Sequence, residues 1–126
     1  MVELYRLPLN CTTKRSKLLS DLNYCSRFMD YLVKTLDVTE IGRTAHLIGG
    51  ASWNDKAPGI SIGCVYLESG AQLHTWPETG EFYLDITSCK KFSKPAVISA
   101  VENWFDAEVT ELCVSLKEDE YKQDLS

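Results

Sequence analysis

The hydrophobic and polar positions follow two different periods along the chain, and these periods predict eight elements of secondary structure. Six short segments are rich in β-branched residues or alternate between apolar and polar positions, which is typical of strands. They cover residues 2–9, 38–48, 60–68, 70–76, 81–89 and 108–116. Segments 14–36 and 94–106 instead repeat apolar residues every three or four positions, which predicts two amphipathic helices.

The order of these elements predicts an α+β fold. In the order β-α-β-β-β-β-α-β, both helices pack on one face of a mainly antiparallel sheet, which gives a two-layer sandwich. The other face then needs a cover, and a second copy of the chain packed sheet to sheet is the simplest one. We therefore expect a homodimer. Pro8 is expected at a sheet edge or a strand end, because proline has no N–H to give to a neighbouring strand.

Length, composition and charge narrow the class of protein. The 126 residues, 44% of them hydrophobic and 25% charged, predict one domain over 1–126, with a charged tail at 117–126 that frays. The net charge of −5 argues against a nucleic-acid partner, and no apolar run approaches the ~20 residues of a membrane span. Five cysteines show no metal-binding spacing, so no metal is expected. Their odd number, with no signal peptide, predicts a cytoplasmic location.

The segment 68–78 contains the candidate chemistry. The Ser69 hydroxyl can attack the carbonyl carbon of Glu68 in a tight turn, which converts the peptide bond into an ester. His74, expected across a hairpin, would remove the Ser69 α-proton, and elimination would release Glu68 as a new C-terminus. Hydrolysis of the remaining dehydroalanine, with loss of ammonia, leaves a pyruvoyl group. Gly70 is expected to give this turn its freedom in φ.

A pyruvoyl carbonyl is an electron sink. It forms a Schiff base with a substrate amine and stabilises the carbanion that decarboxylation leaves. A proton must then return to carbon, and Cys89 is a suitable donor. We expect Cys89 on the mixed face of the strand at 81–89, the face opposite the apolar Phe82, Leu84 and Ile86. The residues alone also fit a structural interpretation, in which Ser69 lies in a turn, His74 is hydrogen-bonded and Cys89 fills the core.

This segment resembles the prokaryotic S-adenosylmethionine decarboxylase proenzymes. Their pattern is Glu-Ser-His, a short gap and then His-Thr-Trp-Pro-Glu, with Thr-Cys ending the next strand. Glu68, Ser69 and the run 74–78 match in type and spacing, and Ser88-Cys89 stands in place of the terminal pair. Ser61 matches a serine that the family has eight residues before the cleavage serine.

The resemblance extends over roughly residues 2–116 and implies how the protein matures. Self-cleavage at Glu68-Ser69 would give a β chain, 1–68, and an α chain, 69–126, that begins with a pyruvoyl cofactor derived from the serine. The family pairs two such units through their sheets, with sites near the interface. Its active members supply spermidine synthesis, a branch of polyamine biosynthesis.

The resemblance also implies roles for single residues. Ser61 and His74 would assist processing, Cys89 would be the catalytic proton donor, and Glu78 would contact the ribose hydroxyls of the substrate. His74 and Ser69 would thus serve both in processing and at the catalytic centre.

The sequence departs from the family at several positions. The histidine that follows the cleavage serine is Gly70 here, and the family's Gly-[Arg/Lys]-His-Leu before the first strand has no counterpart. In the loop at 49–59, Asp55 stands where the family has an aromatic residue that stacks on adenine, with Trp53 close by. Trp53 and Asp55 are therefore candidate substrate contacts, and Glu3 is a further one.

The expected function is that of a pyruvoyl-dependent S-adenosylmethionine decarboxylase. An alternative is a pyruvoyl-dependent ornithine or arginine decarboxylase, because an anionic Asp55 suits a second amine. A non-catalytic homologue on the same fold is the third interpretation. The complete set of Glu68, Ser69, His74 and Cys89 argues against it.

Overall fold

The structure, a computed structural model, describes residues 3–49 and 57–112. Its strands and helices follow the predicted order. The strands are β1 (Tyr5–Thr13), β2 (Glu40–Ile48), β3 (Gly59–Tyr66), β4 (Ser69–Trp76), β5 (Glu81–Ser88) and β6 (Ala107–Glu111). The α-helices are α1 (Leu22–Leu36) and α2 (Lys94–Phe105), and a short 3-10 helix (Ser16–Ser20) precedes α1.

The strands form one sheet in the order β2-β3-β4-β5-β1-β6. Each neighbouring pair in it is antiparallel. The predicted α+β fold with a mainly antiparallel sheet is therefore confirmed. The first strand of the chain lies between the last two strands, an insertion that local sequence patterns do not show.

The first strand is longer than predicted, and its proline lies where a neighbour ends. β1 runs from residue 5 to residue 13 rather than over 2–9. The Pro8 carbonyl accepts a hydrogen bond from the Leu112 N–H at 2.9 Å, one residue beyond the end of β6 at Glu111. Since the N and O of one strand residue point to the same side, the missing N–H of Pro8 lies on this side too. The expectation of a sheet edge or a strand end was therefore wrong: Pro8 lies inside a strand with two neighbours, at the limit of the β6 pairing.

The predicted helix at 14–36 is two elements. Asp21 has an extended backbone (φ −95°, ψ 97°), which separates the 3-10 helix from α1. Its carboxylate accepts a hydrogen bond from the Tyr24 N–H at 3.0 Å and caps α1. The apolar period continues across the break, so periodicity alone predicts one helix where a cap divides it.

The second helix begins as predicted. Ser93 caps α2 by accepting a hydrogen bond from the Ala96 N–H at 3.2 Å, and Pro95 lies in the first turn. Each helix ends at an aspartate in the left-handed region, Asp37 after α1 and Asp106 after α2. Among the described residues, neither helix has the length and apolar character needed to cross a membrane.

One face of the sheet forms the core with the helices. Its buried side chains include Leu7, Leu9, Ile60, Ile62, Leu73, Phe82, Leu84 and Ile86, and the helices add Phe28, Met29, Leu32, Val97, Val101 and Phe105. The rings of Phe82 and Phe105 lie 4.7 Å apart between sheet and helix. Both helices therefore cover the same face, as predicted. We call the other one the open face; it carries Thr44, Ser61, Gly63, Gly70, Gln72, His74, Trp76, Tyr83 and Asp85.

Candidate active site

The bond between Glu68 and Ser69 lies at the end of a tight hairpin. β3 ends at Tyr66, which pairs with Ser69, so Leu67 and Glu68 alone make the turn. Glu68 has a positive φ of 60°. For a residue with a side chain, this left-handed conformation costs on the order of 1 kcal/mol or more. The turn therefore stores strain next to the predicted cleavage bond.

The prediction that Gly70 supplies the turn with conformational freedom was wrong. Gly70 lies inside β4, and its φ is not positive. A Cβ at this position would lie 3.0 Å from the Cys64 carbonyl oxygen. The glycine thus permits close approach of β3 and β4, whereas Glu68 is the residue that adopts the positive φ of the turn.

Three predicted site residues lie together, because Cys89 contacts both the Ser69 hydroxyl and the Glu68 carboxylate. The Cys89 N–H donates to Ser69 Oγ at 3.3 Å, and the Cys89 Sγ lies 3.9 Å from the same oxygen. The Cys89 thiol also donates to Glu68 Oε2 at 3.6 Å. β5 ends at Ser88, so Cys89 follows the strand and does not lie on its mixed face as predicted. Leaving the strand lets the thiol turn toward the serine.

Two neighbours of Cys89 hold it in place. The Ser88 hydroxyl donates to the Lys90 carbonyl at 2.7 Å and accepts from the Lys90 N–H at 3.0 Å. The Lys90 ammonium donates to Asp37 Oδ2 at 2.8 Å, at the C-terminal end of α1. Lys90 was not predicted, because its partner is 53 residues away and no local motif joins them.

Cys89 differs from the other described cysteines in its surroundings. Cys11, Cys25 and Cys64 are buried, whereas Cys89 is partly exposed. Burial raises the pKa of Cys11 and of Cys25 to about 12, and that of Cys64 to about 11. These three thiols stay protonated near neutral pH. Among the described cysteines, Cys89 is the one that a molecule in solution can reach.

A second cluster lies around the His74 imidazole on the open face. Ser61 of β3 is the register partner of His74 on β4, and its Oγ lies 2.9 Å from His74 Nδ1. On the other side of the ring, Gln72 Oε1 lies 3.2 Å from Nε2. Both ring nitrogens therefore have partners within the chain.

The two clusters are separated, and the predicted hairpin between Ser69 and His74 was wrong. Both residues belong to the continuous strand β4. At about 3.3 Å per residue, their Cα atoms lie roughly 16 Å apart. Ser69 shares the helix side with Ala71 and Leu73, while His74 points to the open face. Within one chain, His74 therefore cannot reach the Ser69 α-proton.

The substrate-binding candidates divide between the same two ends of the sheet. Glu78 lies in the turn between β4 and β5, beyond His74, where the Gly80 N–H donates to the Trp76 carbonyl at 3.0 Å. Glu3 lies at the other end and accepts a hydrogen bond from the Tyr5 hydroxyl at 2.8 Å. Trp53 and Asp55 are outside the described residues.

A shallow depression of about 640 Å³ lies on the sheet near the start of β4. Its lining includes Gly42, Thr44, Gly63, Gly70, Gln72 and Asp85. The Asp85 carboxylate, 14% exposed, forms an ion pair with Arg6 at 2.9 Å. Because glycine has no side chain, the backbone of the sheet is accessible here from the open face.

Comparisons with known proteins agree with this architecture. A family model described as S-adenosylmethionine decarboxylase matches residues 5–116. Among solved structures, the chain is similar to the adenosylmethionine decarboxylase from Aquifex aeolicus VF5 with a TM-score of 0.65. That alignment covers 90% of this chain and 93% of the other at 16% sequence identity, which shows a shared fold. No curated protein matches the sequence.

Proposed function

The chain belongs to the S-adenosylmethionine decarboxylase family, and we propose that it is a pyruvoyl-dependent decarboxylase of S-adenosylmethionine that cleaves itself between Glu68 and Ser69. The observation that carries this proposal is the convergence of three groups. The Ser69 hydroxyl lies in a strained hairpin, beside the Cys89 thiol and next to the Glu68 carbonyl that it would attack. By this proposal the enzyme supplies spermidine synthesis.

The position of the serine supports self-cleavage at this bond. Its hydroxyl oxygen forms a bond to the Glu68 carbonyl carbon while the C–N bond breaks, so the acyl group moves from nitrogen to oxygen. The αL conformation of Glu68 favours this step, because breaking the peptide link releases backbone strain. Loss of the Ser69 α-proton then expels the Glu68 carboxylate. Water replaces the nitrogen of the dehydroalanine, and ammonia leaves.

The residues that remain around position 69 fit the resulting cofactor. A pyruvoyl group supplies an electron sink for decarboxylation of a substrate that bears an amine. The backbone N–H of Cys89 already points at the side-chain oxygen of residue 69, and its Sγ is 3.9 Å from that oxygen. These contacts support Cys89 as the group that returns a proton to the carbon that loses carbon dioxide.

The base comes from a second copy in this proposal. Two open faces can pack about a two-fold axis that lies between the sheets and runs across the strands. Such an axis reverses the strand direction, so the His74 end of one sheet faces the Ser69 end of the other. Ser61 and Glu78 move with His74, because they lie at the same end. A homodimer thus assembles each site from the two ends of β4.

A second candidate function concerns the substrate alone. Asp55 stands where the resemblance implies an aromatic residue against adenine. A carboxylate there suits the second amine of ornithine or arginine. Cleavage at Ser69 and proton return by Cys89 are common to both candidates, so only the substrate distinguishes them.

Intact-mass spectrometry of the purified protein tests the proposal. We expect two chains, 1–68 and 69–126, with a pyruvoyl group in place of the serine at the start of the second. Ser69→Ala is the matched control, which keeps the hairpin and stays as one chain. Release of carbon dioxide is then measured with S-adenosylmethionine, ornithine and arginine. A wild-type chain that remains whole after long incubation contradicts self-cleavage, and turnover of ornithine or arginine alone contradicts the substrate.

A further inference from the structure

The His74 ring is held on both sides by side chains of the open face. Ser61 approaches Nδ1 at 2.9 Å from the neighbouring strand, and Gln72 approaches Nε2 at 3.2 Å from two positions earlier in β4. Residues two apart in a strand point to the same face, so the Gln72 amide lies beside the ring. Neither the chemistry in the segment 68–78 nor the family resemblance gives Gln72 a role.

The Gln72 oxygen determines which nitrogen carries the proton. A neutral imidazole has one N–H and one lone pair, and an amide oxygen accepts but does not donate. With Oε1 facing Nε2, the hydrogen belongs on Nε2. Nδ1 then has the lone pair, which accepts a hydrogen bond from the Ser61 hydroxyl.

An amide at this place differs from a carboxylate. A carboxylate beside Nε2 would stabilise the imidazolium, whereas a neutral amide orients the ring without favouring the charged form. A base must be uncharged to take a proton, so an amide suits a base that acts near neutral pH. Gln72 is itself exposed and free of any core-packing role.

We infer that Gln72 is a positioning residue for His74, and that its amide oxygen fixes the tautomer of the neutral ring with hydrogen on Nε2 and the lone pair on Nδ1. The inference rests on the proposed function, since it takes His74 as the base for a Ser69 in a second copy. Gln72 touches neither Ser69 nor Cys89 among its described contacts. Gln72 therefore influences self-cleavage only through the His74 imidazole and the Ser61 hydroxyl.

Other charged or titratable groups face His74 from the neighbouring strands. They are Tyr83, Glu81 and Asp85 of β5 and, beyond Ser61, His46 of β2. Asp85 is ion-paired with Arg6. A test of Gln72 must therefore hold these groups constant and add a charge beside the ring.

Nitrogen NMR of the imidazoles in Ser69→Ala provides that test, because this variant stays whole. The chain has two histidines, so His46 serves as an internal reference in the Gln72 variants. We expect the His74 ring to carry hydrogen on Nε2, and Gln72→Leu to raise the fraction with hydrogen on Nδ1. Gln72→Glu should raise the titration midpoint of His74 by about one pH unit. Thr44→Glu is the control, because it adds a carboxylate to the same face in the strand β2, away from the ring.

The pH profile of self-cleavage, in chains with Ser69 intact, completes the test. The acid limb of Gln72→Glu should lie about one pH unit higher than that of wild type, with the rate recovering as pH rises. The inference is overturned if Gln72→Glu moves the His74 midpoint no further than Thr44→Glu does, or if Gln72→Leu leaves the tautomer unchanged. A wild-type chain that does not cleave overturns the proposed function instead, and the NMR result still decides the role of Gln72.

Discussion

Ser69 and His74 occupy one strand, on opposite faces of the sheet and roughly 16 Å apart. By the proposed function, one chain then holds two parts of a site that a second copy must complete. Ser69, Cys89 and Glu3 lie at one end of the sheet, and Ser61, His74 and Glu78 lie at the other.

Self-cleavage should be complemented between chains. His74→Ala alone should remain whole, and so should Ser69→Ala alone. In mixed dimers, the His74→Ala chain should be cut, because the Ser69→Ala partner brings an intact imidazole to its serine. Intact-mass spectrometry of the co-expressed chains measures this.

The control for that experiment is the double variant Ser69→Ala/His74→Ala, which offers no imidazole and should give no cleavage of the His74→Ala chain. Cleavage with the double variant would show that the second copy's His74 is not required.

The turn conformation at Glu68 predicts a gain in stability on substitution by glycine. In the uncleaved Ser69→Ala background, Glu68→Gly should raise the free energy of unfolding by about 1 kcal/mol, because glycine adopts a positive φ without steric cost. Denaturant unfolding measures the change. Glu68→Ala is the control: it also removes the carboxylate but retains the strain, so it should bring no gain.

Removal of the Cys89 thiol should leave self-cleavage intact and reduce decarboxylation. The contact that Cys89 makes through its backbone N–H with Ser69 Oγ survives in Cys89→Ala. This variant should still cleave, whereas its decarboxylation should fall by on the order of 100-fold or more, since a general acid is lost. Equal loss of cleavage and turnover would mean that the side chain acts in maturation instead.

Thiol alkylation should distinguish Cys89 from the core cysteines. A thiol whose pKa is raised stays protonated below that pKa and does not react, so at pH 8 Cys11, Cys25 and Cys64 should resist iodoacetamide. Cys89 should be labelled first among these four, as peptide mapping would show. Cys113 is outside the described residues and is scored separately. In denaturant, all four described cysteines should react alike.

Much of the fold follows from periodicity and capping. The alternation in Phe82, Leu84 and Ile86 predicts the face of β5 that meets the helices, and these residues are buried there. Ser93 and Pro95 predict the start of α2. Such signals are local, because each one lies within a single element or at its cap.

The arrangement of the site could not be predicted in the same way. The hairpin turn consists of Leu67 and Glu68, which lack the glycine, asparagine or proline that usually marks a turn. The predicted strands 60–68 and 70–76 leave Ser69 in the turn, so the sequence does not show that Ser69 and His74 share one strand. The insertion of β1 between β5 and β6 depends on pairing between distant segments. No pattern within a short window encodes it.

The sheet order has a consequence for the two pieces that cleavage would leave. The piece ending at Glu68 contains β1, β2 and β3, and the other contains β4, β5 and β6. In the described sheet, β1 has both of its neighbours, β5 and β6, in the other piece, and β3 borders β4. Strands of the two pieces therefore alternate within one sheet. A cut at the hairpin breaks the chain but leaves the hydrogen bonds between strands of the two pieces intact. The pieces should therefore separate only when the whole domain unfolds.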